Sequence, residues 1–142
     1  MSAKQYLRRI RYLDKTISSK LEMIETLHAQ VTKTTSVLSE TPKPQSPEEQ
    51  DKLAATIAKI VDLKRYLRQE LDEFITLKAE AIRLINSLED SRHRLVLTYR
   101  YMNGYTWEEI AVAIHYTYQW VHRLHGQALK QFDKLLQQQE KS

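Results

Sequence analysis

Polar side chains near the C-terminus recur at a spacing that places them on one face of a helix. They are Gln119, His122, Arg123, Gly126 and Lys130. Because a helix turns about 100° per residue, this face lies opposite the apolar residues Val121 and Leu124. Glutamine can pair with adenine and arginine with guanine in the major groove, whereas lysine suits a backbone phosphate. The pattern predicts a helix over about residues 117–130 that reads duplex DNA.

Start and stop signals predict two further helices before this one. Asp90 or Ser91 can cap a helix that runs to about Met102, where Asn103-Gly104 supplies a left-handed stop. Thr106 and Glu109 then have the spacing of a capping box, which predicts a short helix over residues 107–113. Thr117 follows a three-residue turn and begins the next helix.

The residues around that turn favour a helix-turn-helix. Apolar residues occupy the offsets at which two crossing helices touch: Ile110, Ile114, Val121 and Leu124. Ala111 is small enough for close approach of the helices. His115 stands where such turns usually carry glycine, and histidine tolerates left-handed backbone better than a branched residue does. We expect Trp107 and Trp120 to be packing residues, with Tyr118 and Trp120 at the sides of the polar face. Tyr99 and Tyr101 are expected to pack between helices.

The string GYTWEEIAVAIHYTYQWVHRLHGQALKQF resembles region 4 of sigma-70-type factors, which reads the −35 promoter element. With the preceding RHRLVLTYRYMNG, it resembles still more closely the ArpU type of small regulators of bacteriophages and prophages, which are linked to late-gene transcription. The resemblance covers residues 88–136 and implies sequence-specific binding by Gln119, His122 and Arg123. It does not imply a full sigma factor, since no segment has the promoter-melting character of a sigma region 2. The residues expected to contact DNA are Tyr118, Gln119, His122, Arg123, Gly126, Lys130, Thr106 and Thr117.

Two long helices are predicted before this unit. Heptad-spaced residues lie at Ile10, Ile17, Ile24, Val31 and Leu38, and again at Leu53, Ile60, Leu67, Phe74, Ala81 and Leu88. The segment TPKPQSP ends the first helix, and Ser46, Pro47 and Glu49 signal the start of the second. One antiparallel register aligns Leu38 with Leu53, Val31 with Ile60, Ile24 with Leu67, Ile17 with Phe74 and Ile10 with Ala81. That register also places Tyr6 near Ile85.

The second long helix carries more apolar residues than one seam can bury. They are Val61, Leu63, Ile75, Leu77, Ile82 and Leu84. Two explanations are open, because either the C-terminal helices cover part of this face or two hairpins pair into a bundle. We favour a homodimer through the hairpin.

Basic residues are unevenly distributed along the chain. The net charge is +4, and residues 1–40 carry seven basic and four acidic side chains, whereas residues 88–142 are nearly balanced. Arg8, Arg9 and Arg11 are therefore our candidates for phosphate contacts that the near-neutral C-terminal unit lacks.

Other classes of function find little support. The chain has no Cys, and His115, His122 and His125 lack an acidic ligand at zinc spacing, so we expect no metal and no cofactor. No nucleophile with a base, phosphate loop or paired carboxylates is apparent, so an enzyme is not expected. The charged N-terminus lacks the apolar stretch of a signal peptide, and no apolar run is long enough to span a membrane. We expect a cytoplasmic protein with no membrane association.

The sequence thus predicts an all-α fold with two domains. Residues 1–88 form a long antiparallel helical hairpin, a coiled-coil arm with its loop at 40–47, and residues 89–142 form a three-helix helix-turn-helix domain. The expected function is sequence-specific transcription regulation, with double-stranded DNA as partner and RNA polymerase as a candidate partner. Two alternatives are a genome-packaging protein of the small terminase kind, which assembles as rings, and a coiled-coil protein–protein adaptor without DNA binding.

Overall fold

The computed structural model describes residues 1–40 and 46–141, with side chains for 1–34 and 46–141. The helices are α1 (Ala3–Glu40), α2 (Pro47–Asn86), α3 (Ser91–Leu97), α4 (Trp107–Ile114) and α5 (Tyr118–Glu140). A π-helical turn, Thr98–Met102, follows α3 directly. The described residues contain no strand, and the predicted all-α fold is confirmed. None of their helices has the length and apolarity needed to cross a membrane.

The predicted signals at the start of α2 are present. The Ser46 hydroxyl accepts a hydrogen bond from the Glu49 amide at 3.2 Å, and Pro47 is the first helical residue. Proline is suited to this position because its missing N–H would have no partner in the helix. Most of the predicted loop, residues 41–45, lies outside the described residues.

The chain divides into two compact units, one of Met1–Asp14 with Glu73–Ser142 and the other of Lys15–Asp72. In the first unit, one buried cluster joins the start of α1, the end of α2 and the second half of α5. Leu97 of α3 also belongs to it. The fully buried members are Ala3, Leu7, Ile10, Ala81, Ile85, Leu97, Ala128 and Phe132. The first residues of the chain therefore pack with the last helix, far away in sequence.

The predicted end of the last helix, near residue 130, is wrong, because α5 continues to Glu140. Ala128, Phe132 and Leu136 are spaced by four residues, so they extend the apolar stripe of the helix, and all three are buried. Burial of this stripe against α1 and α2 stabilises the extra helical turns.

Polar contacts reinforce this packing of α1. The Ala3 amide, an N–H at the start of α1 without a helical partner, donates to the Asp133 carboxylate of α5 at 2.6 Å. The Tyr6 hydroxyl donates to the Leu77 carbonyl of α2 at 3.0 Å. These bonds fix the first turns of α1 against both α2 and α5.

In the unit Lys15–Asp72, α1 and α2 run antiparallel and bury Ile17, Ile24, Ile60 and Leu67. Thr16 donates to Glu70 at 2.8 Å, and Lys20 forms an ion pair with the same carboxylate.

The cross-helix contacts fit a register one heptad away from the predicted one. Val31, expected beside Ile60, lines the same groove as Leu53, and Tyr6, expected near Ile85, bonds to Leu77. Because the apolar pattern of both helices repeats every seven residues, a slip of one heptad still aligns apolar layers. The sequence pattern alone does not distinguish these registers.

The wide apolar face of α2 is only partly covered. Leu84 is buried in the cluster that includes α5, which agrees with the explanation that C-terminal helices cover part of the face. Val61, Ile75 and Ile82 remain exposed, at 51%, 61% and 43% of their surface.

Replacing Phe132 by alanine tests the role of α5 in the core. The phenyl ring is fully buried beside Tyr6, with ring centroids 5.9 Å apart, so its loss leaves a cavity. We expect Phe132→Ala to lower the free energy of unfolding by about 3–5 kcal/mol in urea titration. Gln137→Ala, at an exposed position of the same helix, should change it by less than about 0.5 kcal/mol. Equal small effects of both substitutions would contradict this packing.

Asp90 gives a prediction about pH. Its carboxylate pairs with the Arg92 guanidinium at 2.9 Å and, as the N-cap of α3, accepts a hydrogen bond from the Arg92 amide at 2.8 Å. The guanidinium and then the amide hold the pKa of Asp90 well below its ordinary value. A lowered folded-state pKa stabilises the fold above the unfolded-state pKa of about 3.9, and this stabilisation is lost as pH falls through the folded-state value. At pH 7, Asp90→Ala should cost about 1 kcal/mol in thermal unfolding. The difference from wild type should shrink below about pH 4, and a constant difference down to pH 2 would contradict the assignment.

Candidate nucleic-acid interface

The helix-turn-helix is built from α4, a short turn and α5. The predicted capping box is present, since the Glu109 amide donates to the Thr106 hydroxyl at 3.1 Å and the Glu109 carboxylate accepts from the Thr106 amide. The Thr117 hydroxyl accepts from the Trp120 amide at 3.2 Å and caps α5. Both helices of the motif thus begin at residues that the sequence specifies.

His115 ends α4 in the left-handed conformation, with φ 60° and ψ 40°. The Tyr116 amide donates to the Ala111 carbonyl at 3.1 Å, which satisfies one of the free carbonyls at the helix end. The turn therefore has the backbone that glycine usually provides, with histidine in its place.

A small core fixes the angle between the two helices. Val96 of α3, Ile110 of α4, and Val121 and Leu124 of α5 are buried together. These include three of the four residues expected to touch, and the fourth, Ile114, is partly buried against the same cluster. The N-terminal half of α5 is thereby held with its opposite face free.

Most predicted reading residues lie on that free face. Gln119, Arg123, Gly126 and Lys130 are exposed, and Tyr118 is 44% exposed. A Cβ at Gly126 would meet no atom within 4 Å, so the fold itself does not require glycine there. A backbone bare of side chain at this point allows close approach of a bound molecule.

His122 lies differently from its predicted outward position. Its ring centroid is 4.6 Å from that of Trp107 and 4.5 Å from that of Tyr118, and its Nε2 is buried without a hydrogen-bond partner. Because its ring packs against Trp107, the first residue of α4, His122 lies at the side of the exposed face of α5.

The two tryptophans have different environments. Trp107 packs as predicted, against His122, His125 and Arg100. Trp120 lies at the side of the polar face, as predicted, but it is less packed than expected, since it is 36% exposed with the Arg123 guanidinium 5.7 Å from its ring. Helical spacing places Trp120 about 100° from Val121 but only about 40° from Leu124, so it lies at the edge of the buried stripe of α5.

The three candidate arginines of α1 point to different neighbours. Arg9 forms a bidentate ion pair with Glu73 of α2, with both N–O distances 2.8 Å. Arg8 is exposed, and Arg11 is partly buried with its Nη1 atom lacking a hydrogen-bond partner. The charges of Arg11 and Arg8 contribute to the lowered pKa of Arg100 in the π-helical turn, so both are within electrostatic range of that residue.

Arg100 is a residue that the sequence reasoning missed. Its guanidinium lies 4.2 Å from the centroid of the Trp107 ring and donates to the Tyr105 carbonyl at 3.1 Å. Burial and then the Arg11 charge lower the pKa of Arg100. Only the π-helical turn, which shifts the helical phase, brings this side chain over Trp107, and the sequence carried no clear signal for that turn.

Tyr101 and His125 form a largely buried polar pair next to Trp107. The Tyr101 hydroxyl lies 2.7 Å from the His125 Nε2 atom. Burial raises the pKa of Tyr101, and burial followed by the nearby His122 and Arg100 lowers the pKa of His125 to about 4. At neutral pH the phenol is protonated and the imidazole is neutral, so the hydroxyl donates to the ring nitrogen.

Among the side chains of residues 1–34 and 46–141, no three His, Asp or Glu residues are placed to share a metal ion. The side chains along α5 and its flank offer hydrogen bonding, apolar contact and positive charge.

Comparison with known proteins identifies one family. No curated protein and no solved structure matches the chain. The family model described as Sigma-70, region 4 matches residues 85–132, about a third of the chain, from the end of α2 to Phe132 of α5. The match contains the capped helices, the His115 turn and the exposed face of α5. Residues 85–132 are therefore a DNA-binding helix-turn-helix domain of the sigma-70 region 4 family.

Proposed function

We propose that the protein is a sequence-specific transcription regulator that reads promoter DNA with the N-terminal half of α5. The observation that carries this proposal is the exposed face of Gln119, Arg123 and Lys130 on a helix fixed by its cap and core. Glutamine and arginine have the donor and acceptor geometry to distinguish base pairs in the major groove. Tyr118 and Gly126 complete the proposed base-reading face.

The remaining contacts would position the protein on the duplex. Thr106 and Thr117 sit at the starts of α4 and α5, where backbone N–H groups and the helix dipole favour phosphate. Of the three candidate arginines of α1, Arg8 and Arg11 remain our candidates for additional phosphate contacts, since Arg9 is paired with Glu73. His122 would contact DNA from the side of the reading face.

The resemblance of residues 88–136 to ArpU-type regulators supports a phage or prophage origin. RNA polymerase is the proposed second partner, since sigma-region-4-like domains act in transcription. The proposed location is the cytoplasm, where promoter DNA is accessible.

Selection of bound duplexes from a random pool near physiological salt tests the reading face. We expect wild type to enrich a motif and Gln119→Ala/Arg123→Ala to lose it, since each bidentate base contact contributes about 1–3 kcal/mol of discrimination. Lys134→Ala is the matched control, because it removes an exposed charge from α5 beyond the proposed face. The motif should survive that substitution.

Two outcomes of this selection would contradict the proposal. Equal, weak and unselective retention of DNA by all three proteins would argue against sequence-specific reading. Complete absence of salt-dependent DNA binding would instead favour a coiled-coil adaptor.

We also propose a homodimer through the hairpin. In the unit Lys15–Asp72, large apolar side chains are exposed on both helices: Leu21 and Met23 on α1, and Ile57, Val61 and Tyr66 on α2. Apolar patches of this kind often mark protein–protein contacts. A symmetric dimer would present two reading helices to two half-sites, about one or more helical turns apart.

Sedimentation equilibrium tests the dimer. The chain mass is 16.8 kDa, so we expect a species of about twice that mass for wild type. Val61→Glu should shift it towards monomer by placing a charge in the apolar contact, whereas Lys64→Glu, at a nearby exposed polar position, should not. A monomer at all concentrations would contradict the dimer, and a large ring would favour the genome-packaging alternative.

A further inference from the structure

Basic side chains gather around the Trp107 indole in the unit of Met1–Asp14 and Glu73–Ser142. The Arg100 guanidinium stacks on its ring at 4.2 Å, and the rings of His122 and His125 each lie 4.6 Å from it. Two of these groups come from α5 and one from the π-helical turn. The indole thus contacts a guanidinium and two imidazoles, and His122 connects this group to the exposed face of α5.

The first helix adds its own charges to this surface. Lys4 and Arg8 are close enough to His125 to contribute to its lowered pKa, and Arg8 and Arg11 act in the same way on Arg100. We call the set of Lys4, Arg8, Arg11, Arg100 and His122 the Trp107 basic cluster. The Ala3–Asp133 hydrogen bond and the buried Leu7 and Ile10 hold α1 where it contributes to this cluster.

Two nitrogen atoms of the cluster are buried without a hydrogen-bond partner. They are Nη1 of Arg11 and Nε2 of His122, and they are the atoms of this kind among the side chains that the structure describes. Leaving a buried polar group unsatisfied costs free energy, and the cost is greater for a charged group. Both nitrogens can donate hydrogen bonds that the protein does not use, and each side chain must rotate towards the surface to reach a ligand that accepts them.

Among the side chains that the structure describes, no carboxylate forms an ion pair with Lys4, Arg8, Arg11 or Arg100. The net pKa of Arg100 is lowered, by burial and then by the Arg11 charge. The Glu108 charge acts in the opposite direction but does not outweigh them. Glu73, the carboxylate that faces α1 nearby, is occupied by the bidentate pair with Arg9. An anion would therefore find uncompensated positive charge.

We propose that the Trp107 basic cluster binds a backbone phosphate of duplex DNA, with Arg11 and Arg100 as its charged ligands and His122 as a hydrogen-bonding partner. The proposal rests on the DNA binding proposed above, and it makes α1 part of the interface. It selects Arg11, with Arg8 and Lys4 at the rim, and leaves Arg9 to its structural pair with Glu73. Guanidinium groups present N–H donors in a fork that matches phosphate oxygens.

The place of His122 in the chain explains why DNA is the source of this phosphate. His122 directly precedes Arg123 of the exposed reading face, and its ring also contacts Trp107 at the cluster. A duplex that placed base edges against Gln119 and Arg123 would bring a flanking strand to the side of α5 on which the cluster lies.

Arg11→Gln and Arg9→Gln form a matched pair for the test. Each removes one positive charge from α1, two residues apart, but only Arg11 belongs to the cluster. Binding of the full-length protein to a duplex of about 30 base pairs is measured as a function of salt. We expect the slope of log K against log salt to fall by about 0.9 in Arg11→Gln, the value for one phosphate contact, and to stay unchanged in Arg9→Gln. When salt rises from 50 to 200 mM, the fold-decrease in affinity should therefore be about 3.5 times smaller for Arg11→Gln than for wild type.

Thermal unfolding separates a ligand site from a structural role. Because Nη1 of Arg11 has no partner in the protein, Arg11→Gln should unfold at the wild-type temperature or above it, whereas Arg9→Gln breaks an ion pair and should not gain stability. A lowered unfolding temperature in Arg11→Gln together with an unchanged salt slope would assign Arg11 to structure and overturn the proposal.

The outcomes also separate this proposal from the proposed function. An unchanged or equally reduced slope in both arginine variants, while Gln119→Ala/Arg123→Ala loses the selected motif, would overturn the phosphate site alone. Absence of salt-dependent binding by wild type would overturn both. A neutral methylphosphonate at one backbone position should weaken binding by wild type and not further weaken binding by Arg11→Gln, since both changes remove the same contact.

Discussion

The apolar stripe of α5 is the constraint on which the rest of the first unit depends. At its N-terminal end, Val121 and Leu124 pack with Ile110 and Val96, and this fixes the helix-turn-helix angle. Further along, Ala128 and Phe132 pack with the start of α1 and the end of α2. One straight helix cannot satisfy both clusters unless the start of α1 and the end of α2 are held at a defined position relative to α4. The N-terminal half of α5 is therefore held in place because the second half is part of the core.

This arrangement explains how a nearly neutral helix-turn-helix domain acquires positive charge. Residues 88–142 carry almost equal numbers of basic and acidic side chains, and the excess lies in α1. Packing of Leu7 and Ile10 against the common core brings Arg8 and Arg11 of α1 beside Arg100. Charge that is distant along the chain thus becomes local in space. Arg9, on another side of α1, pairs with Glu73 and contributes to the stability of the hairpin instead.

Helix geometry accounts for these different roles of neighbouring arginines. Successive residues on a helix differ in direction by about 100°, so Arg8, Arg9 and Arg11 cannot all face one partner. The apolar residues Leu7 and Ile10 determine which side of α1 is buried, and the arginines take the directions that remain. The unsatisfied Nη1 atom of Arg11 is a local cost that burial of Leu7 and Ile10 on the same helix can offset.

Local signals determined much of the fold from the sequence alone. Thr106 with Glu109, Thr117, Asp90 and Ser46 each cap the helix that they were predicted to begin, because capping depends on residues within one turn. The left-handed residue at His115 and the exposed positions of Gln119 and Arg123 likewise follow from short-range spacing. Features set by long-range packing were predicted less well. α5 extends to Glu140 because residues 3–10 and 81–88 offer it an apolar surface that is not evident from its own neighbours in sequence.

Tertiary structure alone decided the remaining points. The register of α1 against α2 differs from the prediction by one heptad, because a seven-residue repeat gives apolar layers in more than one alignment. The π-helical turn places Arg100 over Trp107, and Trp107 in turn draws His122 out of the reading face. Helical periodicity predicts the direction of a side chain from its own helix, but it contains no information about a ring on the neighbouring helix. The sequence determined the elements and the exposed polar face of α5, and the packing of distant segments decided which charges of α1 act on Arg100.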